Sequence, residues 1–569
     1  MRRTAWCACA VLLAAGCGDD GTASDAADGA DDTADTGDGE PDGPPETDGA
    51  DGELDGNDAD ATDETDAAPP LDPAPGTVVE LAAGPAGAFE ADLATPAGPA
   101  RLYGLVLYSQ HWGSGQFDYE LTVTGAAAKG APGPAKRRLA APTPRPRFAW
   151  PVTPDEAARA LRAGTVRLAR DPLPPPIVGE RRSFRISDAA GHPQTIEAEC
   201  LAVGNDIAAW IDRTTAGGED PPAATLADVM TGFDEIVLPR HRIFFGEEPD
   251  ICGDGVINLL WSPIVADVGA MAYFSPCDMF DASSLPLGCD ASNEQELLYA
   301  TPPSLLPGYM AGANAILDVL AHESQHLIYF HRKVMLAGAL GNENAYVLEG
   351  WAELGEDLSG YGTALFFIAR EGLENTDRVG AYEFLRAGGS YSTSRDGLLR
   401  GVSYLWTRYL FDRMGGERAE ADGSITDLGG VTWSRTIIDL AREGTQAIEL
   451  TCGEEIEELI FDWWTALFLT GRTGADGAPL PVEPRFSYLA QYDDPLTGAP
   501  RGFDPYADFR GMFSLAGPVV VTPASADGRI PATGSELVLL EPDGTSPALS
   551  VRVTAAAAAE LRVRAVRLR

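Results

Sequence analysis

The chain has 569 residues, 44% of them apolar, which is enough for several domains, and its formal net charge of −45 excludes nucleic acid as a partner. The charge is unevenly spread, and that unevenness divides the chain.

Residues 1 to 17, MRRTAWCACAVLLAAGC, combine two arginines, an apolar run and small residues before a cysteine, the pattern of an export signal. The ending AAGC is similar to a bacterial lipobox. Residues 1–16 are then a lipoprotein signal peptide, and Cys17 carries a lipid that anchors the protein to a bacterial membrane without crossing it. Ala14 stands where such sites favour leucine, which leaves cleavage by an ordinary signal peptidase open; the lack of Asp at position 18 favours the outer membrane or cell surface. No later apolar run is long enough to span a bilayer. Residues 17–76 are Asp, Gly, Ala, Thr and Pro with no Lys or Arg from Gly18 onward, too polar to build a core, and read as an acidic disordered tether.

From residue 77 the segments VVELAAG, GAFEADL, RLYGLVLYS and FDYELTVTG alternate and are spaced by turn residues, so a small β-domain is expected to about residue 125. A basic, Pro- and Ala-rich connector follows, with Lys136, Arg137 and Arg138 as an exposed linker or processing site, and carries this region to residue 177. Residues 181 to 212 read as strands leading into the next unit.

Three of the six histidines fall in AHESQHLIYFH, residues 321 to 331. On a helix His322 and His326 share one face, with Glu323 beside them: the HExxH pattern, in which two neutral imidazoles bind zinc and the glutamate is general base toward water activated there. The alternative is a pair of histidines satisfied within a core. The surrounding helix is apolar on almost every side, however, and burying two imidazoles and a carboxylate in it is costly unless a metal pairs with them. His331 is five residues after His326, with no glycine at the turn, and reads as an exposed or supporting residue. The third ligand is sought in LEGWAELGEDL, residues 348 to 358, where Glu349 and Glu353 share a helical face. One would bind metal and the other would hold a ligand imidazole, while Glu356 and Asp357 read as a solvated face.

With AHESQHLIYF, EGWAELGEDL, and the flanking RIFFGEEPDICGDGVINLL, AYFSPCDMFD, SNEQELLYA, SYLWTRYLFDRMGG and FDWWTALFLTG, the chain resembles the hyicolysin-type metallopeptidases, a group of gluzincins, over about residues 178 to 475. What the resemblance implies is an α+β, thermolysin-like zincin fold with a mixed sheet beside a helical half. It also implies His322, His326 and Glu349 as zinc ligands, and Glu323 as the catalytic base. The expected activity is a zinc-dependent endopeptidase acting on protein or peptide substrates at the cell surface. Gluzincin aminopeptidases carry GAMEN upstream of HExxH; here GAMAY, residues 269 to 273, has Ala272 in place of its glutamate, so an aminopeptidase is the second reading. An inactive surface-binding lipoprotein on the same scaffold is a third, and the presence of Glu323 speaks against it. The resemblance also implies a tyrosine donor for the oxyanion, with Tyr404 first and Tyr391 and Tyr361 as alternatives.

Residues 476–569 again show strand periodicity and Gly-rich turns, a C-terminal β-module. Of the cysteines after Cys17, Cys277 and Cys289 are the expected bridge in an exported protein. DICGDG lacks the glutamate of a calcium loop, so an EF-hand is rejected.

Overall fold

The computed structural model describes residues 69–569, apart from 85–86, 96–100, 128–158, 170–171, 287–288, 340, 342, 363–364, 390–394, 510–512 and 523–524. The signal, Cys17, the tether up to residue 68, the basic triplet at 136–138 and Tyr391 lie outside the described residues.

Four strands open the described chain: β1 (Val78–Leu81), β2 (Phe89–Ala94), β3 (Tyr103–Ser109) and β4 (Gln116–Thr124). In β4 alternate residues are buried and exposed, as in an antiparallel strand with one wet face. In β3 every residue is buried. A six-stranded sheet follows, built from β5 (Arg181–Ser187), β6 (Pro193–Val203), β7 (Ile207–Asp212), β8 (Ile257–Trp261), β9 (Ala272–Phe274) and β10 (Leu297–Ala300), in the order β5-β6-β7-β8-β10-β9. β7, β8 and β10 run parallel, and the outer pairings are antiparallel. The parallel strands are buried throughout, which explains their continuous apolar runs, IAAWID and INLLW. β9 is the terminal strand on the side of the histidines.

The helical half contains α1 (Leu238–Phe244), α2 (Ala313–Tyr329), α3 (Ala345–Ser359), α4 (Asp396–Arg413) and α5 (Ile456–Leu469). Asn344 caps α3 by accepting the N–H of Tyr346 at 2.9 Å. Gly360 ends it in the left-handed conformation, φ +82°. Gly350 lets α3 sit close against α4: a Cβ there would lie 2.5 Å from Ser403 Oγ and 2.6 Å from Thr407 Oγ1. Among the described residues no helix is long and apolar enough to cross a membrane.

The last strands are β11 (Ser525–Pro531), β12 (Ser535–Leu540), β13 (Ala548–Ala555) and β14 (Leu561–Arg567). They correct the expectation of two flanking β-modules. They pair antiparallel with β1–β4 in two interleaved sheets, β1-β14-β3-β12 and β11-β4-β13-β2, around one core that includes Leu93, Leu105, Leu121, Leu549 and Val563. A strand with one apolar face needs a partner sheet, and here the partner comes from the far end of the chain. The expected tether also stops short of residue 76. Leu71 N–H bonds Asp92 O at 2.7 Å, and Gly76 N–H bonds Arg567 O at 2.8 Å, so this stretch joins the sandwich.

The 476–569 boundary changes too, because residues 484–503 pack on the helical half. The other face of β3 meets α5, with the Tyr108 and Phe461 rings 5.1 Å apart. Cys277 and Cys289 are bridged, as expected.

Candidate metal centre

α2 presents His322, Glu323 and His326 on one buried face, and α3 presents Glu349 opposite them. His322 Nε2 and His326 Nε2 are 3.2 Å apart. Glu349 Oε2 is 3.3 Å from His322 Nε2, and its Oε1 is 3.8 Å from His326 Nε2. Ligands held about 2.0–2.1 Å from a tetrahedral zinc stand about 3.3–3.4 Å from one another. The His–His and His322–Glu349 separations match that spacing and the His326–Glu349 separation, to the other carboxylate oxygen, is longer; the donor chemistry, two imidazoles and a carboxylate, fits that metal.

His322 Nδ1 lies 2.8 Å from Glu356 Oε1. Burial works against a charged His322, but Glu349 and Glu356 outweigh it and hold the metal-free imidazole well above the ordinary histidine range. Burial, with Glu353 adding to it, pushes Glu356 up to about 7, so His322 and Glu356 contend for one proton. With that proton on Nδ1, Nε2 presents the lone pair a metal needs. Burial, aided by the charge on His322, pushes His326 down to about 3, so it is neutral as a ligand must be. For Glu349, burial is overcome by Arg400 and the imidazoles, which hold its carboxyl well below the usual range.

Glu323 takes the N–H of Phe274, on β9, at Oε2 and 2.9 Å. This bond orients the carboxylate between the terminal strand and the histidines. Burial pushes Glu323 up to about 7, opposed by His322 and reinforced by Glu349. That value suits a group that must take up and give back a proton near neutrality.

Two sequence expectations are corrected here. Glu356 and Asp357 are not solvated: they are 5% and 2% exposed. Glu356, not Glu353, holds the His322 imidazole, because it lies two helical turns after Glu349 on the same face. Glu353 is instead gripped by Arg400, whose Nε and Nη2 lie 3.0 and 2.7 Å from its Oε1. Asp357 points to the other side of α3, where its Oδ2 takes Arg408 at 2.8 Å and the Tyr404 hydroxyl at 3.1 Å. Tyr404 is therefore committed to Asp357 and not to the metal centre. Tyr361 lies by Gly232 and Leu317. His331 follows α2 in a π-helical turn, 3.2 Å from the Glu247 carbonyl, outside the cluster.

Sequence reading missed His241 and Arg400. His241, on α1, ties the two metal helices together: Ser324 Oγ donates to its Nδ1 at 3.0 Å, and its Nε2–H donates to Gly355 O at 3.2 Å. Burial pushes it down to about 4, which keeps it neutral for both roles. Arg400 had no motif around it to mark it. A second group, Asp250, Cys252, Asp254 and Glu296, also converges, but internal donors serve its oxygens: Gly255 N–H, Val256 N–H, Asn258 Nδ2 and the Cys252 thiol.

No family model matches the chain, and no curated protein does. Among solved structures it is similar to a mutant of an M1 zinc metallopeptidase from Deinococcus radiodurans, with a TM-score of 0.27 and 14% identity over 53% of this chain and 54% of that one. A two-domain M1 zinc metallopeptidase bound to L-tryptophan gives 0.26 and 14% over 49% and 48%. The Deinococcus radiodurans enzyme bound to Tyr-Ser-Ala gives 0.26 and 15% over the same shares. The chain thus spans about half the length of the structures it matches. At this level the likeness does not bear on the chemistry, which rests on the side chains themselves.

Proposed function

We propose that the chain is a zinc metallopeptidase that cleaves within polypeptides. The observation that carries this reading is the convergence of His322 Nε2, His326 Nε2 and the Glu349 carboxylate at tetrahedral spacing, with Glu323 held beside them by the edge strand. His322, His326 and Glu349 would hold the metal. When bound, zinc supplies Lewis acidity that makes water a nucleophile near neutral pH and polarises the scissile carbonyl.

Glu323 does the proton work. Its Oε2 accepts the Phe274 N–H, which orients the carboxylate; that carboxylate would take the water's proton and pass it to the departing amine. Glu356 keeps the His322 lone pair directed inward through the Nδ1 hydrogen bond. The backbone of β9 meets Glu323 through the Phe274 N–H. Ala272, on that strand, provides no carboxylate for a free amine, which supports internal cleavage over removal of N-terminal residues.

Export and a lipid anchor at Cys17 belong to the same proposal, supported by the lipobox-like AAGC and the acidic stretch that follows. Attachment at the outer membrane or cell surface would bring the enzyme to extracellular protein substrates. The direct test is hydrolysis of casein and of blocked peptides by the purified protein, with and without a chelator. Zinc-dependent cleavage of peptides blocked at both ends is expected, and cleavage confined to free N-termini would favour the aminopeptidase instead.

A further inference from the structure

Arg400 borders the cluster of proposed ligands. Its Nη2 lies 2.9 Å from Glu349 Oε2 and 3.4 Å from His322 Nε2, so the guanidinium borders the same point that the three proposed ligands surround. Its side chain is 23% exposed, whereas His322, His326 and Glu349 are 6 to 8% exposed. The guanidinium is thus more exposed than the three proposed ligands it borders. Glu353, with no exposed side-chain surface, holds Nε and Nη2 on a single carboxylate oxygen and so aims the group. Tyr404, one turn further along α4, is committed to Asp357, so the same helix offers a different donor at this end.

We infer that Arg400 binds the oxyanion formed when water adds to the scissile carbonyl, and that Glu353 is its positioning residue. This inference rests on the peptidase reading above. In the step it serves, the water oxygen bonds to the carbonyl carbon and the carbonyl π-pair moves onto oxygen, while the water proton goes to Glu323. The new negative charge lies against the guanidinium. When the tetrahedral centre collapses, the C–N bond breaks and Glu323 returns the proton to the amine. A fixed cation facing charge that exists only in the transition state lowers that barrier without tightening substrate binding.

The test compares Arg400→Gln, the paired Arg400→Gln with Glu353→Gln, and wild type, each loaded with zinc. The paired variant removes both charges, so Glu353 is not left buried without Arg400. Zinc content should stay at the wild-type value in both variants. Affinity for a phosphinic pseudopeptide, whose anionic tetrahedral group mimics the oxyanion, should fall by about 10²-fold, while affinity for acetohydroxamate stays within about threefold. In turnover the loss should lie in kcat, with KM nearly unchanged. Glu353→Gln alone should give a smaller loss of the same kind. Equal weakening of both inhibitors, loss of zinc, or unchanged phosphinate binding would overturn the role of Arg400. Failure of the wild type to bind zinc or cleave peptides would overturn the peptidase reading instead.

Discussion

Two buried groups of charges meet α3 from opposite sides, and their difference explains what each does. On one side Glu323, Glu349, Glu353 and Glu356 gather around two histidines and, among the described residues, one arginine, Arg400. On the other, Asp357, Asp412, Asp494 and Glu417 meet three arginines, Arg240, Arg408 and Arg501, in ion pairs of 2.6 to 3.2 Å. Arg240 and Arg501 also take the carbonyls of Ser359 and Leu358 at the end of α3.

The second group is nearly balanced within the protein and fastens residues 494–502 and α4 to the back of α3. The first is short of positive charge. Two of its acids, Glu323 and Glu356, are pushed up to about 7 as a result of burial among like charges. Adjacent residues, Glu356 and Asp357, belong to different groups because successive helical positions point about 100° apart. A buried site lacking positive charge calls for a cation, and a balanced one has no such need.

The sharpest break between the two comes from removing a ligand. His322→Ala or His326→Ala should lose zinc and peptidase activity together while the helical half stays folded; zinc analysis and circular dichroism check this. Next, Glu323→Gln should keep stoichiometric zinc and lose activity by about 10²-fold to 10⁴-fold, since an amide cannot accept the proton. Zinc retained together with full activity would remove Glu323 from the reaction. On the balanced side, Arg408→Met should leave Asp357 and Asp412 buried without their partner, at a cost of about 3–5 kcal/mol in denaturant unfolding, with zinc stoichiometry unchanged in the folded protein.

The pH response of the metal side follows from its shifts. The metal-free imidazole of His322 is held above its ordinary range, so a proton competes with zinc for the site. Zinc affinity should therefore weaken as pH falls, with protons released on binding; competition against a chromophoric chelator measures it, and a flat profile would contradict the assignment. The smallest effect is expected for Tyr404→Phe. It removes one hydrogen bond to Asp357 and should cost about 1–2 kcal/mol of stability, with kcat close to wild type.

The proposed ligands were legible because their chemistry leaves a spacing: His322 and His326 four apart, and Glu349 one antiparallel helix later. Glu356 and Asp357 were not. A run of acids at the end of a helix reads as a wet face, and only α2 and α4, distant in sequence, bury it. Arg400 and His241 lack any local pattern, since what selects them is the neighbour each reaches across helices. The strands of the sandwich were visible one by one, but the pairing of Val78 with Val566 was not. Alternation reveals that a strand has an apolar face and says nothing about which strand will cover it.

His322, His326 and Glu349 are proposed to form one zinc site that serves Glu323. Metal analysis of the purified protein, run beside peptide hydrolysis before and after chelation, tests it most directly. One zinc per chain is expected, with loss of metal and activity on chelation, return of both when zinc is restored, and no bound zinc in His326→Ala. A wild type without zinc, or a His326→Ala protein that retains it fully, would rule out this site.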